Sequence, residues 1–132
     1  MKKVLFIDDD EIYNFLMEKK IGDEVPEIEA IFCDSGREGL NYLADTLAAS
    51  EEPPVFIFLD VKMPEIDGFD FLNLYQKRDY HKSLPARIYM LTSSINNKDK
   101  EKAEAYSSVA GFINKPLKTE ELKTIVGYPT SS

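Results

Sequence analysis

The chain reads VFIFLDVKMPEIDG between residues 55 and 68. Val55–Leu59 is apolar at every position, which is typical of a parallel strand that is covered on both faces in the centre of a sheet. Asp60 follows this strand directly, and the Asp67-Gly68 pair is a turn signal in front of a helical pattern. The order of strand, polar loop and helix predicts one unit of an α/β domain.

The same alternation of apolar runs and helical patterns extends over the whole chain. Further strands are predicted at Lys3–Ile7, Ile28–Cys33, Arg87–Leu91 and Gly111–Asn114. Helices are predicted at about residues 11–21, 36–47, 68–75, 98–106 and 119–126, with a polar connection at about 77–86. Together these elements predict a doubly wound α/β domain. Its five-stranded parallel sheet has the flavodoxin-like strand order 2-1-3-4-5, with helices on both faces.

The first predicted helix carries an apolar stripe that we expect to pack on the sheet. Its members recur at the i, i+3, i+4 and i+7 positions of a helix and are Ile12, Phe15, Leu16 and Lys19. Lys19 would contribute its aliphatic stem to this stripe. Gly22 is expected to end this helix, because glycine is the preferred residue just beyond a helix C-terminus.

Polar side chains follow four of the predicted strands at the point where each strand ends. They are Asp8 and Asp9, Asp60, Thr92, and Lys115. The carboxyl ends of parallel strands share one edge of a sheet, and the order 2-1-3 places the first strand beside the third at the switch point. We therefore expect three carboxylates, a hydroxyl and an ammonium to converge in one pocket.

The three carboxylates of this pocket predict a metal site. Acidic groups a few ångströms apart repel one another unless a cation is bound or their pKa values are raised. Oxygen ligands of this kind suit Mg²⁺, which commonly binds one or two carboxylates together with a phosphate oxygen. Asp8, Asp9 and Asp60 are the predicted ligands, and the backbone carbonyl of Lys62 is predicted to complete the shell.

The same set of side chains suits phosphoryl transfer, which requires mainly positioning and charge neutralisation. A carboxylate is able to act as the nucleophile and to form an aspartyl phosphate. We expect Asp60 to be this nucleophile, Lys115 to hold phosphoryl oxygens together with the metal ion, and the Thr92 hydroxyl to donate to another oxygen.

Four motifs in this order resemble the receiver (CheY-like) domain of bacterial two-component response regulators, of the stand-alone single-domain type. They are IDDD at residues 7–10, FLDVKMPEIDG at 58–68, MLTSS at 90–94 and GFINKP at 111–116. The resemblance implies that Asp60 accepts a phosphoryl group from a histidine kinase or phosphotransfer protein, with Mg²⁺ positioned by Asp8 and Asp9. It also implies that Lys115 pairs with the phosphate and that the Lys115-Pro116 peptide bond is cis.

The resemblance further implies a switch and an output. Thr92 matches the hydroxyl that moves in response to phosphorylation. Phe112 matches an aromatic side chain that swings inward after Thr92 moves. The signal would then reach a partner protein through the face formed by the helix at about 98–106, the fifth strand and the last helix. A homodimer through this face is a further expectation. Enzymatic activity is expected only as self-phosphorylation and slow self-dephosphorylation at Asp60.

Other functions remain open from the residues alone. The domain would also suit a phosphate shuttle or sink within a phosphorelay. A haloacid-dehalogenase-type phosphohydrolase also uses an aspartate nucleophile and Mg²⁺. Enzymes of that class carry a DxD pattern near the amino terminus, whereas in this chain the residue two positions after Asp60 is Lys62. A flavin-binding module of the same fold would need a phosphate loop after the first strand, where this chain has three aspartates. A degenerate receiver would lack a site residue, and none is missing.

Length and charge limit the remaining choices. The 132 residues fit one domain, and we expect a receiver domain at 1–127 and a short tail at 128–132. The net charge of −8 argues against a nucleic-acid partner. The amino terminus has no apolar segment of signal-peptide length, and no run approaches the ~20 residues of a membrane span, so a cytoplasmic location is expected. The single Cys33 is expected to be a buried apolar residue.

Overall fold

The computed structural model describes residues 1–127, and the predicted tail at 128–132 lies outside this range. The strands are β1 (Lys2–Ile7), β2 (Ile28–Cys33), β3 (Phe56–Asp60), β4 (Arg87–Thr92) and β5 (Val109–Asn114). The helices are α1 (Glu11–Glu24), α2 (Gly36–Ala48), α3 (Gly68–Lys77), α4 (Tyr80–Ser83), α5 (Asn97–Glu104) and α6 (Thr119–Val126). All neighbouring strands pair in parallel in the order β2-β1-β3-β4-β5, which confirms the predicted flavodoxin-like α/β fold.

Two apolar layers cover the sheet. One contains buried residues of α2, α3 and α5, and the other contains buried residues of α1 and α6. Every residue of β3 is buried, as expected for the central strand. Val55, which the sequence pattern placed in this strand, precedes β3 and is exposed. Because both faces of β3 are covered, the loop after Asp60 leaves the sheet from a rigid position.

A row of stacked aromatic rings crosses the sheet on the α1 and α6 side. The ring centroids of Phe32 and Phe6 are 4.8 Å apart, those of Phe6 and Phe58 are 5.2 Å apart, and those of Phe58 and Tyr89 are 5.6 Å apart. The next residue in register is Gly111, and a Cβ atom there would lie 2.9 Å from the Tyr89 ring. The row ends at Gly111 because only a residue without a side chain leaves room for that ring.

The α1 helix departs from its prediction in two ways. It continues past Gly22, whose Cα faces open space, and ends where the Val25 N–H donates to the Ile21 carbonyl. Its buried residues are Met17 and Ile21, with Tyr13 packed beside them. The prediction that the stripe from Ile12 to Lys19 packs on the sheet is therefore wrong. The helix carries a second apolar stripe at positions i, i+4 and i+8, formed by Tyr13, Met17 and Ile21, and this stripe packs on the sheet.

The predicted core residues of α1 are instead exposed to solvent. Ile12 is 73% exposed, Phe15 59% and Leu16 52%. These three side chains lie in the first two turns of the helix and are called the α1 apolar surface below. Large exposed apolar side chains in one contiguous group are a common mark of an interaction site.

The polar connection at about 77–86 contains a further helix, α4, that the sequence reasoning did not identify. Tyr80 and Leu84 are buried there, and the Tyr75 hydroxyl donates to the Leu84 carbonyl at 2.7 Å and accepts from the Ala86 N–H at 3.1 Å. Among the other boundaries, β5 begins at Val109 instead of Gly111, and α5 ends at Glu104 instead of about residue 106. Along residues 1–127, no helix has the length and apolar character that a membrane crossing requires.

Candidate functional site

The acidic residues meet at the carboxyl ends of two neighbouring strands. Ile7 of β1 pairs with Leu59 of β3, so Asp8 and Asp60 leave the sheet side by side. One carboxylate oxygen from each of Asp8, Asp9 and Asp60 lies within 4.8 Å of the other two. Asp8 and Asp60 are buried, and Asp9 is exposed. The structure therefore brings the three predicted metal ligands together.

Local hydrogen bonds hold the loop that carries the acid pair. The Asp8 N–H donates to the Cys33 carbonyl at 3.1 Å, which continues the pairing of β1 with β2. The Asp10 N–H donates to the Asp8 carboxylate at 2.9 Å, and the Asn14 side-chain amide donates to the Asp8 carbonyl at 2.9 Å. Asp10 also caps α1 by accepting from the Tyr13 N–H at 3.0 Å. The acid pair is thus built into the start of a helix.

Lys115 brings the positive charge of the site from the far end of the chain. Its Nζ donates to Asp8 Oδ2 at 2.7 Å and lies 3.9 Å from Asp60 Oδ2. Burial works to lower the pKa of Lys115, but the hydrogen bond to Asp8 and the charges of Asp8 and Asp60 outweigh it and raise this pKa. The ammonium therefore stays charged among the carboxylates. The Lys115-Pro116 peptide bond is cis, as the resemblance implies.

The Asp60 carboxyl has an unusually high pKa. Burial, first, and then the charges of Asp8 and Asp9 raise it to about 7, against the opposing charge of Lys115 and a hydrogen bond from the Lys62 backbone. The single charge of Lys115 does not balance the charges of the three carboxylates, and a bound cation would supply the missing positive charge. The donor set of carboxylate oxygens therefore fits the predicted Mg²⁺. The role of the Lys62 carbonyl stays a prediction.

Gly68 allows the loop after Asp60 to turn tightly. A Cβ atom at this position would lie 2.7 Å from the Asp60 carbonyl oxygen and 3.0 Å from the Val61 Cα. The Gly68 N–H donates to the Val61 carbonyl at 2.8 Å, and Asp67 and Asp70 cap α3 reciprocally. The start of α3 consequently lies directly against the end of β3.

The two predicted switch residues lie on the neighbouring strands. Thr92 is buried at the end of β4, where its hydroxyl donates to the Ser94 carbonyl at 3.1 Å and accepts from the Ser94 N–H at 3.2 Å. In this structure the hydroxyl is thus bonded within its own loop. Phe112 is half-buried in β5 and lines a cavity of about 210 Å³ between α5 and β5. The switch roles of both residues stay predictions.

One residue at the site was missed by sequence reasoning. The Tyr13 ring lies against Lys115, with Nζ 4.5 Å from the ring centroid, and the Tyr13 hydroxyl accepts from the Leu117 N–H at 3.3 Å. The sequence signal was weak, because a tyrosine in the first turn of a helix more often packs in a core. Its contact with a residue more than a hundred positions away depends on how α1 and the β5–α6 loop meet.

The fold and this set of side chains define a receiver domain, and comparison with known proteins agrees. The family model described as response regulator receiver domain matches residues 4–127, so the chain belongs to that family. Receiver domains of two-component systems interact with histidine kinases and phosphotransfer proteins and generally act as signalling switches.

Several curated relatives are similar over most of this chain. Protein PilG of Pseudomonas aeruginosa is 34% identical over 123 residues, which cover 91% of this chain and 81% of that protein. Hybrid signal transduction histidine kinase L of Dictyostelium discoideum is 28% identical over 125 residues, 94% of this chain but 7% of that protein. The chain also spans 57% of the probable methanogenesis regulatory protein FilR2 of Methanothrix harundinacea. It thus spans less than two thirds of these last two relatives.

Solved structures share the fold. A two-component response regulator from Cytophaga hutchinsonii is 31% identical, with a TM-score of 0.79 and coverage of 96% of this chain and 95% of that chain. Chemotaxis protein CheY4 of Vibrio cholerae is 26% identical, with a TM-score of 0.73 and coverage of 96% and 97%.

Proposed function

We propose that this domain is a phosphorylation-activated switch that accepts a phosphoryl group on Asp60. The observation that carries the proposal is the position of this carboxylate, which lies within 4.8 Å of the Asp8–Asp9 pair and 3.9 Å from the Lys115 ammonium at one rim of the sheet. The receiver domain comprises residues 1–127, and its site works in the cytoplasm with a histidine kinase or a phosphotransfer protein as donor.

In the transfer step, a carboxylate oxygen of Asp60 attacks the phosphorus of a donor phosphohistidine. The bond between phosphorus and the imidazole nitrogen breaks, its electron pair returns to that nitrogen, and an aspartyl phosphate remains. The Lys115 ammonium donates a hydrogen bond to a phosphoryl oxygen, and the Thr92 hydroxyl donates to another. Asp8, Asp9 and Asp60 would hold Mg²⁺, and the Lys62 carbonyl is the proposed further ligand. The ion supplies neutralisation of the phosphoryl charge.

The α1 apolar surface is where we place the donor protein. Ile12, Phe15 and Leu16 begin only a few residues after Asp9, and at about 1.5 Å of helix rise per residue they lie within roughly 10 Å of it along the axis. A donor that brings a phosphohistidine to Asp60 must cover the surface beside the site. Exposed apolar side chains in this place fit a partner with an apolar helical face.

The output surface is proposed to consist of α5, β5 and α6. A groove of about 450 Å³ opens between β5 and α6, with Tyr89, Gly111, Ile113 and Ile125 along its walls. Phe112 lines this groove as well as the cavity on the α5 side of β5, so a movement of its ring would change both. We propose that a downstream protein binds here, and a second copy of this chain is the alternative occupant. Nucleic acid is not a proposed partner because the charge is −8.

The decisive experiment is labelling by a small phosphodonor. Incubation with acetyl phosphate and Mg²⁺ is expected to add one phosphoryl group to the intact protein, as measured by mass spectrometry, and EDTA is expected to prevent the addition. Asp60→Asn is the matched variant, since it keeps the shape of the side chain and replaces the nucleophilic carboxylate with a neutral amide. Labelling that persists in Asp60→Asn would contradict the proposal, and sustained turnover of small phosphate esters would favour a phosphohydrolase instead.

A further inference from the structure

We infer that Tyr13 is a positioning residue for Lys115, because its side chain holds the β5–α6 loop that carries the lysine against the α1 turn that follows the acid pair. The inference rests on the proposed function for its chemical meaning. Its structural content, the restraint of one side chain by another, stands apart from that function.

The first contact is between the Tyr13 ring and the Lys115 ammonium. Nζ lies 4.5 Å from the ring centroid, within the range of a cation–π interaction. The same Nζ donates to Asp8 at 2.7 Å, and the Lys115 side chain is 16% exposed. The ammonium is therefore held by a carboxylate and an aromatic face, with little access for water.

The second contact ties down the loop itself. The Leu117 N–H donates to the Tyr13 hydroxyl at 3.3 Å, and Leu117 is buried. One side chain thus touches residues on both sides of Pro116. The loop after β5 cannot shift relative to α1 without breaking the contact with Lys115, the contact with Leu117, or both.

Tyr13 is itself fixed by the turn that carries the acids. Its N–H donates to the Asp10 side chain at 3.0 Å, and the neighbouring Asn14 amide donates to the Asp8 carbonyl at 2.9 Å. The acid loop, the first turn of α1 and the lysine loop are consequently linked into one unit. This unit holds Lys115 beside the acid pair, and the Lys115 Nζ lies 3.9 Å from Asp60 at the end of β3.

An aromatic ring suits this task better than a further carboxylate would. A lysine on a four-carbon stem is flexible, and ordering it has an entropic cost. The ring attracts the ammonium without adding a negative charge beside a phosphoryl group and without accepting a strong hydrogen bond. The N–H donors of Lys115 therefore remain free for Asp8 and for a phosphoryl oxygen.

The kinetic test compares Tyr13→Phe, which keeps the ring, with Tyr13→Leu, which removes it. With acetyl phosphate and Mg²⁺, we expect Tyr13→Leu to lower the phosphorylation rate at saturating donor about tenfold with a similar half-saturating concentration, and Tyr13→Phe to stay within about threefold. In the Lys115→Met background, Tyr13→Leu should have no further effect. Additive losses would overturn the inference. The control is Tyr42→Leu, which changes a partly buried tyrosine on the opposite face of the sheet.

A second measurement does not depend on phosphorylation. The folded protein is treated briefly with an amine-reactive reagent, and the modification of Lys115 is quantified by peptide mass spectrometry relative to the exposed Lys118. We expect the relative reactivity of Lys115 to rise about fivefold or more in Tyr13→Leu and to stay near the wild-type value in Tyr13→Phe. Unchanged reactivity in Tyr13→Leu would overturn the inference. If this contrast is observed while the wild-type protein accepts no phosphoryl group, the proposed function fails and the restraint by Tyr13 stands.

Discussion

The Nζ of Lys115 lies 2.7 Å from Asp8 Oδ2, although 107 positions separate the two residues in the chain. The same atom is 3.9 Å from Asp60, so the ammonium is bonded to the neighbour of the proposed nucleophile rather than to the nucleophile itself. In the proposed reaction, a phosphoryl oxygen on Asp60 would accept a hydrogen bond that the Lys115 ammonium donates. The site thus keeps the Lys115 ammonium close to Asp60 without blocking the Asp60 carboxylate.

Stability should depend on pH through Asp60. An acid whose pKa is raised by folding contributes stability that is fully present below its unfolded pKa and is lost as the pH rises through its folded pKa. For Asp60 this window extends from 3.8 to about 7. Asp60→Asn should therefore gain stability relative to the wild type across the window, by at most about 4 kcal/mol. Urea unfolding in EDTA at about pH 5 and about pH 8 measures the difference.

Mg²⁺ provides the control for this experiment. The ion is expected to bind the carboxylate form, so it should restore wild-type stability at about pH 8 and stabilise Asp60→Asn, which keeps two of the three carboxylates, to a smaller extent. In EDTA, a wild type that loses no stability relative to Asp60→Asn between about pH 5 and about pH 8 would contradict the raised pKa.

The acid pair should determine Mg²⁺ affinity. Asp8→Asn and Asp9→Asn each remove one charge from a cluster of three carboxylates, and we expect each to weaken Mg²⁺ binding about tenfold or more. Isothermal titration calorimetry measures this effect directly. Asp34→Asn is a suitable control, since this exposed acid follows β2 outside the cluster. Equal loss in the control would indicate a general charge effect instead of a specific site.

The α1 apolar surface should be needed for protein donors only. Phe15→Glu places a charge in the centre of this surface, and we expect it to slow transfer from a cognate kinase or phosphotransfer protein at least about tenfold. Labelling by acetyl phosphate should continue, because this donor needs no docking surface. A phosphotransfer profile against the histidine kinases of the source organism provides the measurement.

The matched variant for that experiment is Leu47→Glu, which changes an exposed apolar residue of α2. It should transfer at the wild-type rate with every donor that the wild type accepts. If Phe15→Glu behaved in the same way, the donor would have to dock elsewhere.

Gly111 should be intolerant of a side chain. A Cβ atom would lie 2.9 Å from the Tyr89 ring, so Gly111→Ala is expected to lower the free energy of unfolding by about 1–3 kcal/mol. Combining it with Tyr89→Leu removes the ring, and the double variant should lose less than the sum of the two single losses. Chemical denaturation of the four proteins tests this, and strict additivity would show that the ring and the new methyl group do not meet.

The order of the strands and helices and the location of the site could be predicted from the amino-acid sequence, because both depend on local patterns. Apolar runs such as Phe56–Leu59 are too hydrophobic for any place but a covered central strand, and an alternating series of strands and helices leaves few chain paths. Once the strands are parallel, a residue directly after a strand must lie at the common edge. Asp8, Asp60 and Lys115 were therefore predicted together, although no local interaction links them.

Contacts between distant surfaces were decided by packing. The α1 sequence offers two apolar stripes of similar strength, and the sheet selected the one with Met17 and Ile21, which left Phe15 exposed. Tyr13 meets Lys115, and Thr92 bonds to Ser94 in its own loop, because of how the loops pack around the finished sheet. Hydrophobic periodicity specifies that a face is apolar, whereas the neighbour it meets depends on the shapes of elements far away in the chain.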